Sequence, residues 1–199
     1  MPKTHLKLMR RWLNDPVQFV KDNFQVEPDA WQEEALIAAS KNPRLALKAC
    51  KGPGKTCVLA WLAWWFLATR LDAKIAATSI SWDNLADGLW AEMSKWQIKS
   101  EFLKTQFVWT KTRISNVDRP ETWFMSARTW SKSSNTEQQA NTLAGLHADN
   151  IMFIIDESGG VPTAVMAAAE AALANDLGHE NTDAKLIQAG NPTHLSGPL

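Results

Sequence analysis

Residues 48–67 read KACKGPGKTCVLAWLAWWFL. The first half has the composition of a phosphate-binding turn, and the second half that of a helix with no polar face. From Ala49 to Thr56 the chain keeps the spacing G-x-x-x-x-G-K-[ST], with alanine at the first glycine position. In such a loop the main chain of Ala49, Cys50, Lys51, Gly52, Pro53 and Gly54 wraps a polyphosphate. Lys55 reaches the outer phosphates, Thr56 ligates Mg²⁺, and Cys57 continues the first helical turn beside the ligand. Gly52 and Gly54 allow backbone angles and a closeness of approach that a Cβ would hinder. The pattern requires a strand before it and a helix after it. RLALKA (44–49) reads as the strand, and Lys55 to about Arg70 as the helix. That helix, with Trp61, Trp64, Trp65 and Phe66, is apolar nearly all round, which predicts burial between the sheet and a second layer.

The composition bounds the rest. With 199 residues and 45% hydrophobic content, the chain has enough apolar mass for one full core, and global disorder is excluded. Lys plus Arg and Asp plus Glu each number 21, so overall charge gives no vote for nucleic acid and any such contact needs a local patch. Basic residues gather at Lys3, Lys7, Arg10 and Arg11, and again from Lys95 to Arg113. Both sets also suit solvated helix faces. Cys50 and Cys57, the only cysteines, flank the loop and read as free thiols of a reducing compartment. The N-terminal residues lack the apolar run of a signal peptide, and the longest apolar stretch, 58–68, falls short of the ~20 residues that span a bilayer. The expectation is a cytoplasmic protein without a membrane segment.

Strand and helix patterns alternate. Two helices precede a third over Asp29 to Ser40. KIAATSI (74–80) reads as a second strand and 82–96 as a long amphipathic helix. FVWT, RISNV and TWFMSA are short β-like runs, and 131–141 is a polar loop. IMFIID (151–156) is a continuous apolar strand, an alanine-rich helix follows it, and AKLIQAG (184–190) is the last strand. This order predicts an α/β fold with a mostly parallel sheet flanked by helices.

The strand 151–156 ends in Asp156-Glu157. An apolar strand delivering two carboxylates to the carboxyl edge of a sheet is the second half of a nucleotide-hydrolysing site. Asp156 would hold Mg²⁺ through water, and Glu157 would polarise the attacking water. The pair points to a P-loop NTPase of the catalytic-glutamate (ASCE) type that hydrolyses ATP. Gln32 could meet an adenine edge, since its amide both donates and accepts, or it could be a surface glutamine. Asn191, in GNPT, could reach the γ-phosphate or the lytic water, or simply form an Asn-Pro turn.

Together these stretches resemble the ATPase domain of the large terminase subunit of tailed phages. PDAWQEEAL stands as the adenine motif, ACKGPGKT as Walker A, LAGLHADNIMFIIDESGGVP as Walker B with its lead-in, and QAGNPT as the coupling motif, over roughly 29–193. The resemblance implies one ATPase domain over 1–199, with an N-terminal helical segment (1–27) before the P-loop core (28–199). It implies ATP and Mg²⁺ as ligands, Gln32 as adenine contact, Lys55 and Thr56 as phosphate and Mg²⁺ ligands, Asp156 and Glu157 as the Walker B pair, and Asn191 as the coupling residue. Lys51 stands where many relatives have an arginine that lends charge to catalysis; it keeps the charge without the planar fork.

The implied function is translocation of double-stranded viral DNA into a procapsid in the host cytoplasm. The implied partners are the portal protein, the small terminase subunit and further copies in a ring, pentameric by resemblance. Relatives carry a nuclease domain after the ATPase domain; no two-metal carboxylate cluster is visible in these residues, so no DNA cutting is expected of them. Arg128, which closes a β-like run, is the candidate arginine donated to a neighbouring subunit's site, with Arg113 and Arg119 as weaker rivals. Thr78 and Ser79, at the end of the second strand, are candidates for DNA phosphate contact. Two other readings stand beside this one. A helicase-like DNA translocase shares the glutamine and the Asp-Glu pair, but no Q-x-x-G-R-x-x-R motif occurs. A nucleotide-gated binding protein would hydrolyse little.

Overall fold

The computed structural model describes residues 3–130, 135–140, 142–143, 146–176 and 182–192. Seven strands form one sheet: β1 (Arg44–Lys48), β2 (Lys74–Thr78), β3 (Phe107–Trp109), β4 (Arg113–Asn116), β5 (Phe124–Ala127), β6 (Asn150–Ile155) and β7 (Asp183–Gly190), in the order β1-β7-β6-β2-β5-β4-β3. The five strands from β1 to β5 in that row run parallel, and β4 and β3 add an antiparallel hairpin edge. The expected mostly parallel sheet is present. The last strand in sequence, β7, lies between the phosphate-loop strand β1 and the carboxylate strand β6.

Helices cover both faces. On one side lie α1 (Lys3–Asn14), α2 (Pro16–Phe24), α3 (Ala30–Lys41) and α4 (Lys55–Thr69). The stretch 82–99 joins them as a short helix α5 (Trp82–Leu85), a π-helical turn (Ala86–Trp90) and α6 (Ala91–Lys99), followed by α7 (Glu101–Gln106). On the other side α9 (Thr163–Asp176) packs Val165, Met166, Ala169 and Leu173 against Ile151, Phe153 and Ile155. Strand β6 thus alternates between two apolar layers within an all-apolar run, because Met152 and Ile154 face the α4 layer. A parallel strand covered on both faces has no polar side to show. Within the stretch expected as a polar loop, α8 (Thr136–Ala140) is a short helix, while 131–134 and 141 lie outside the described residues.

Helix α4 is the centre of the fold. Thirteen of its residues are buried, and it sits between the sheet and α1, α2 and α6, as its all-round apolarity predicts. Each fully buried aliphatic or aromatic side chain contributes about 1.5–3 kcal/mol. The tryptophans add ties that aliphatic residues could not. The Trp64 indole N–H donates to the Met93 carbonyl (3.0 Å), and that of Trp65 to the Trp12 carbonyl (2.7 Å). From β5's approach, Trp123 donates to the Leu67 carbonyl (2.9 Å). Trp64 and Trp65 are structural crossbeams, as their place on a wholly apolar helix implied.

The far end of α4 is fastened to β7. Arg70, 6% exposed, stacks on Trp65 and Phe66 with its guanidinium carbon 4.1 and 4.4 Å from the ring centroids. Its Nε donates to Asp183 Oδ2 at 2.6 Å. Losing Asp183 would leave the buried Arg70 guanidinium without its carboxylate, the costly way to break such a pair, whereas Asp183 also meets Lys185 Nζ at 3.4 Å.

Candidate functional site

The expected site residues converge at the carboxyl edge of the sheet. Gly52 and Gly54 have φ of +98° and +93°, the left-handed region that glycine enters without penalty. A Cβ on Gly54 would stand 3.0 Å from Gln32 Nε2, so the loop and the start of α3 are in direct contact. The main chain then enters α4, whose N-terminal amides face the loop.

Lys55 is 8% exposed, and its ammonium is fully occupied. Nζ donates to the Ala49 carbonyl (2.9 Å), the Cys50 carbonyl (2.6 Å) and Asn191 Oδ1 (2.9 Å). Asn191 follows β7 directly, so the strand order brings the GNPT segment onto the phosphate-loop lysine. Thr193 of that segment lies outside the described residues.

Asp156 follows β6 and is 5% exposed. Burial pushes its carboxyl from 3.8 up to about 6; the amide of Glu157, the Lys55 charge and the Thr56 hydroxyl partly oppose that rise, and the Glu157 charge adds to it. Glu157 donates its amide to Asp156 Oδ1 (3.0 Å) and has φ +52°, ψ +42°. A left-handed conformation costs a non-glycine residue about 1–2 kcal/mol, and strain of this sort collects at active sites. The turn aims the Glu157 side chain into the cleft. Thr56 and Asp156 form an all-oxygen pair, the donor chemistry that Mg²⁺ takes.

A cleft of about 480 Å³ opens beside these groups. It is lined by the loop from Lys51 to Cys57, by Gln32 and Glu157, and by Glu92 and Lys95 of α6. Gln32 is 7% exposed, so it is not a surface glutamine. Its Oε1 accepts the Asp29 amide (2.9 Å) and closes the N-terminal turn of α3, which leaves Nε2 facing the loop. Cys50 is exposed and Cys57 half-buried, and both thiols are free. Burial and the nearby Glu92 carboxylate push the Cys57 thiol up to about 12, so it stays protonated.

Other expected residues fall elsewhere. Arg128 sits at the same edge of the sheet beyond β2, its amide on the Ala77 carbonyl (2.8 Å) and its Nε on Ser126 Oγ (3.2 Å). It is half-buried and does not line the cleft. Arg119 is paired with Asp72 (2.6 Å), and Arg113 folds over Phe124 and donates to the Pro120 carbonyl (2.8 Å). Thr78 and Ser79 are 0% and 1% exposed, which corrects the expectation that they touch DNA phosphates. They end an interior strand covered by helices on both faces. Sequence reasoning missed Gly88, Glu92 and Lys95. A Cβ on Gly88 would stand 3.6 Å from Asp156 Oδ2, so the π-helical turn packs its one glycine against the buried carboxylate. No local motif marks these positions.

No protein-family profile matches the chain. It is 24% identical over 173 residues, 84% of its length, to the probable large terminase subunit of Enterobacteria phage P7. Among solved structures, the large terminase of bacteriophage HK97 superposes with a TM-score of 0.63 at 15% identity, over 89% of this chain and 37% of that one. The large terminase ATPase domain of Thermus phage P74-26 gives 0.63 at 18%, over 92% and 72%. The chain resembles the large terminase subunit, and its fold is that of the terminase ATPase domain. A third structure, the ADP complex of the large terminase of a further thermophilic bacteriophage, gives 0.56 at 13%, over 96% and 39%. The chain spans about a third of the length of the curated relative it matches. Among the described residues, no helix is long and apolar enough to cross a membrane.

The buried Asp156 carboxylate has a measurable consequence. The fold favours its protonated form, so the stabilisation is present below pH 3.8 and lost as pH rises through about 6, a difference of about 3 kcal/mol. Asp156→Asn should therefore raise the melting temperature of the nucleotide- and metal-free protein at pH 7. The gap between variant and wild type should open between pH 4 and 6. Calorimetric scans showing a gap that does not vary with pH would mean that ionised Asp156 carries no burial penalty.

Proposed function

We propose that this chain is the ATPase motor domain of a phage DNA-packaging terminase, hydrolysing ATP to drive double-stranded DNA into a procapsid in the host cytoplasm. The observation that carries the reading is one cleft lined by the Walker A loop and Glu157, with Asp156 bonded to the Glu157 amide and Asn191 bonded to Lys55 behind it. The likeness to terminase ATPase domains supports the DNA-packaging assignment, and ADP in the thermophilic-phage terminase supports nucleotide as the ligand.

In this reading the amides of Lys51, Gly52, Gly54, Lys55 and Thr56, at the N-terminus of α4, hold the phosphate chain. Lys55 leaves the carbonyls of Ala49 and Cys50 for phosphate oxygens, and Lys51 adds charge from the loop. Thr56 and Asp156 would hold Mg²⁺, which supplies charge neutralisation on the phosphates when bound. Glu157 accepts a proton from the attacking water, whose oxygen bonds to the terminal phosphorus as the bridging oxygen departs with the diphosphate. Gln32, whose Nε2 faces the loop, would contact the base.

Asn191 is the output. When Lys55 turns to phosphate, the bond to Asn191 is exchanged, and the end of β7 is freed to move. Transmission to DNA, to the portal protein and to the small subunit belongs to the assembled ring, which we take to be a pentamer. In the same reading Arg128, at the edge of the sheet and outside its own cleft, serves a neighbouring copy.

Two experiments test this. Glu157→Gln should bind ATP like wild type but turn over at least ~10²-fold more slowly, the lower range for a lost general base. Binding that falls in step with rate would make Glu157 a ligand. Separately, Arg128→Ala and Lys55→Ala proteins should each be inactive, and mixed rings should regain ATPase activity, since an arginine supplied in trans raises rates by about 10³–10⁵ in related enzymes. No recovery in rings shown to contain both variants would remove Arg128 from that role.

A further inference from the structure

The wall of the cleft opposite the phosphate loop is made by α6, none of whose residues belongs to a nucleotide motif. Gly88, Glu92 and Lys95 lie at i, i+4 and i+7, one face of the stretch that runs through the π-helical turn into α6. At one end of this face Gly88 meets Asp156, and at the other Glu92 and Lys95 line the cleft with Lys51 and Glu157. The helix therefore passes along the site from the carboxylate strand to the outer side of the loop.

The bonding of Glu92 is unequal. Its Oε1 accepts both the Trp96 indole N–H (2.8 Å) and Lys95 Nζ (2.9 Å). The indole belongs to a ring that is 5% exposed and packs 5.2 Å from Trp61, so this bond is part of the core. The Lys95 bond is not. Its side chain is 56% exposed, and an i,i+3 surface pair is worth little, with a median of about 0–1 kcal/mol. Lys95 can leave without stranding the carboxylate, which keeps its indole partner.

We propose that Lys95 is a specificity-determining residue of the cleft, exchanging Glu92 for the terminal phosphate of a nucleoside triphosphate. The inference rests on the reading of this cleft as a nucleotide site. The inner phosphates are enclosed by the loop amides of Gly52, Gly54, Lys55 and Thr56, whereas Lys95 on the far wall lines the cleft together with Lys51 and Glu157, the residues read as serving the terminal phosphate. A cation reaching in from that wall meets the outer end of the phosphate chain, the part that a diphosphate lacks. Lys95 therefore distinguishes triphosphate from diphosphate, and its return to Glu92 accompanies loss of phosphate. Because α6 also packs on α4 and holds Trp64 through the Met93 carbonyl, the exchange is felt in the core helix.

The test is the ratio of dissociation constants for ADP and a non-hydrolysable ATP analogue, measured by calorimetric titration with Mg²⁺. Lys95→Ala should lower the preference for the triphosphate roughly ten-fold, the size of one charge-assisted hydrogen bond, by weakening the analogue and leaving ADP unchanged. Lys95→Arg should restore the preference. Glu92→Gln, which removes the competing charge, should shift it in the opposite direction to Lys95→Ala. An unchanged ratio in Lys95→Ala, or an equal loss for both nucleotides, would overturn the assignment. Wild-type protein that binds neither nucleotide would overturn the nucleotide site itself, and the role of Lys95 with it.

Discussion

The arrangement of this domain depends on a buried ammonium group. Lys55 is 8% exposed and holds three oxygens: two carbonyls of its own loop and the side chain of Asn191. A charge so enclosed is tolerable only while it is hydrogen-bonded. The loop and the residue after β7 fill that need. A phosphate chain would fill it instead, and then the loop carbonyls and Asn191 must find other partners. On the proposed function, the requirement to keep one lysine satisfied would couple ligand binding to strand β7.

The rest of the fold makes that coupling stiff. Helix α4 carries Lys55 at its N-terminal end, and Arg70, just past its C-terminal end, is paired with Asp183 at the start of β7. Helix and strand are thus tied at both ends, one tie permanent and one exchangeable. The indoles of Trp64 and Trp65 fix the helix to α6 and α1, so Lys55 stands at the end of a firmly held helix. This is the use of so hydrophobic a helix behind a phosphate loop.

Much of this was legible in the sequence, for identifiable reasons. A loop with two glycines in the left-handed region, between an extended run and an apolar one, has few alternatives; so does a run of five apolar residues ended by two carboxylates. Strand order was not legible. Nothing local in Asp183–Gly190 says that it lies between β1 and β6, yet that position puts Asn191 on Lys55. Thr78 and Ser79 read as edge hydroxyls and are interior, because burial at a strand's end depends on which elements cover it. Gly88, Glu92 and Lys95 look like an ordinary amphipathic helix; only its path past Asp156 and the loop makes them part of the site.

The most direct measurement is titration of the purified chain with Mg²⁺ and a non-hydrolysable ATP analogue, for wild type and for Lys55→Ala, with the fold of each followed by circular dichroism. The account predicts one saturable site in the wild type. It predicts no measurable binding in a variant that remains folded, since the buried ammonium is the charge that phosphate replaces its internal partners to reach. Saturable binding of equal affinity in folded Lys55→Ala would contradict it.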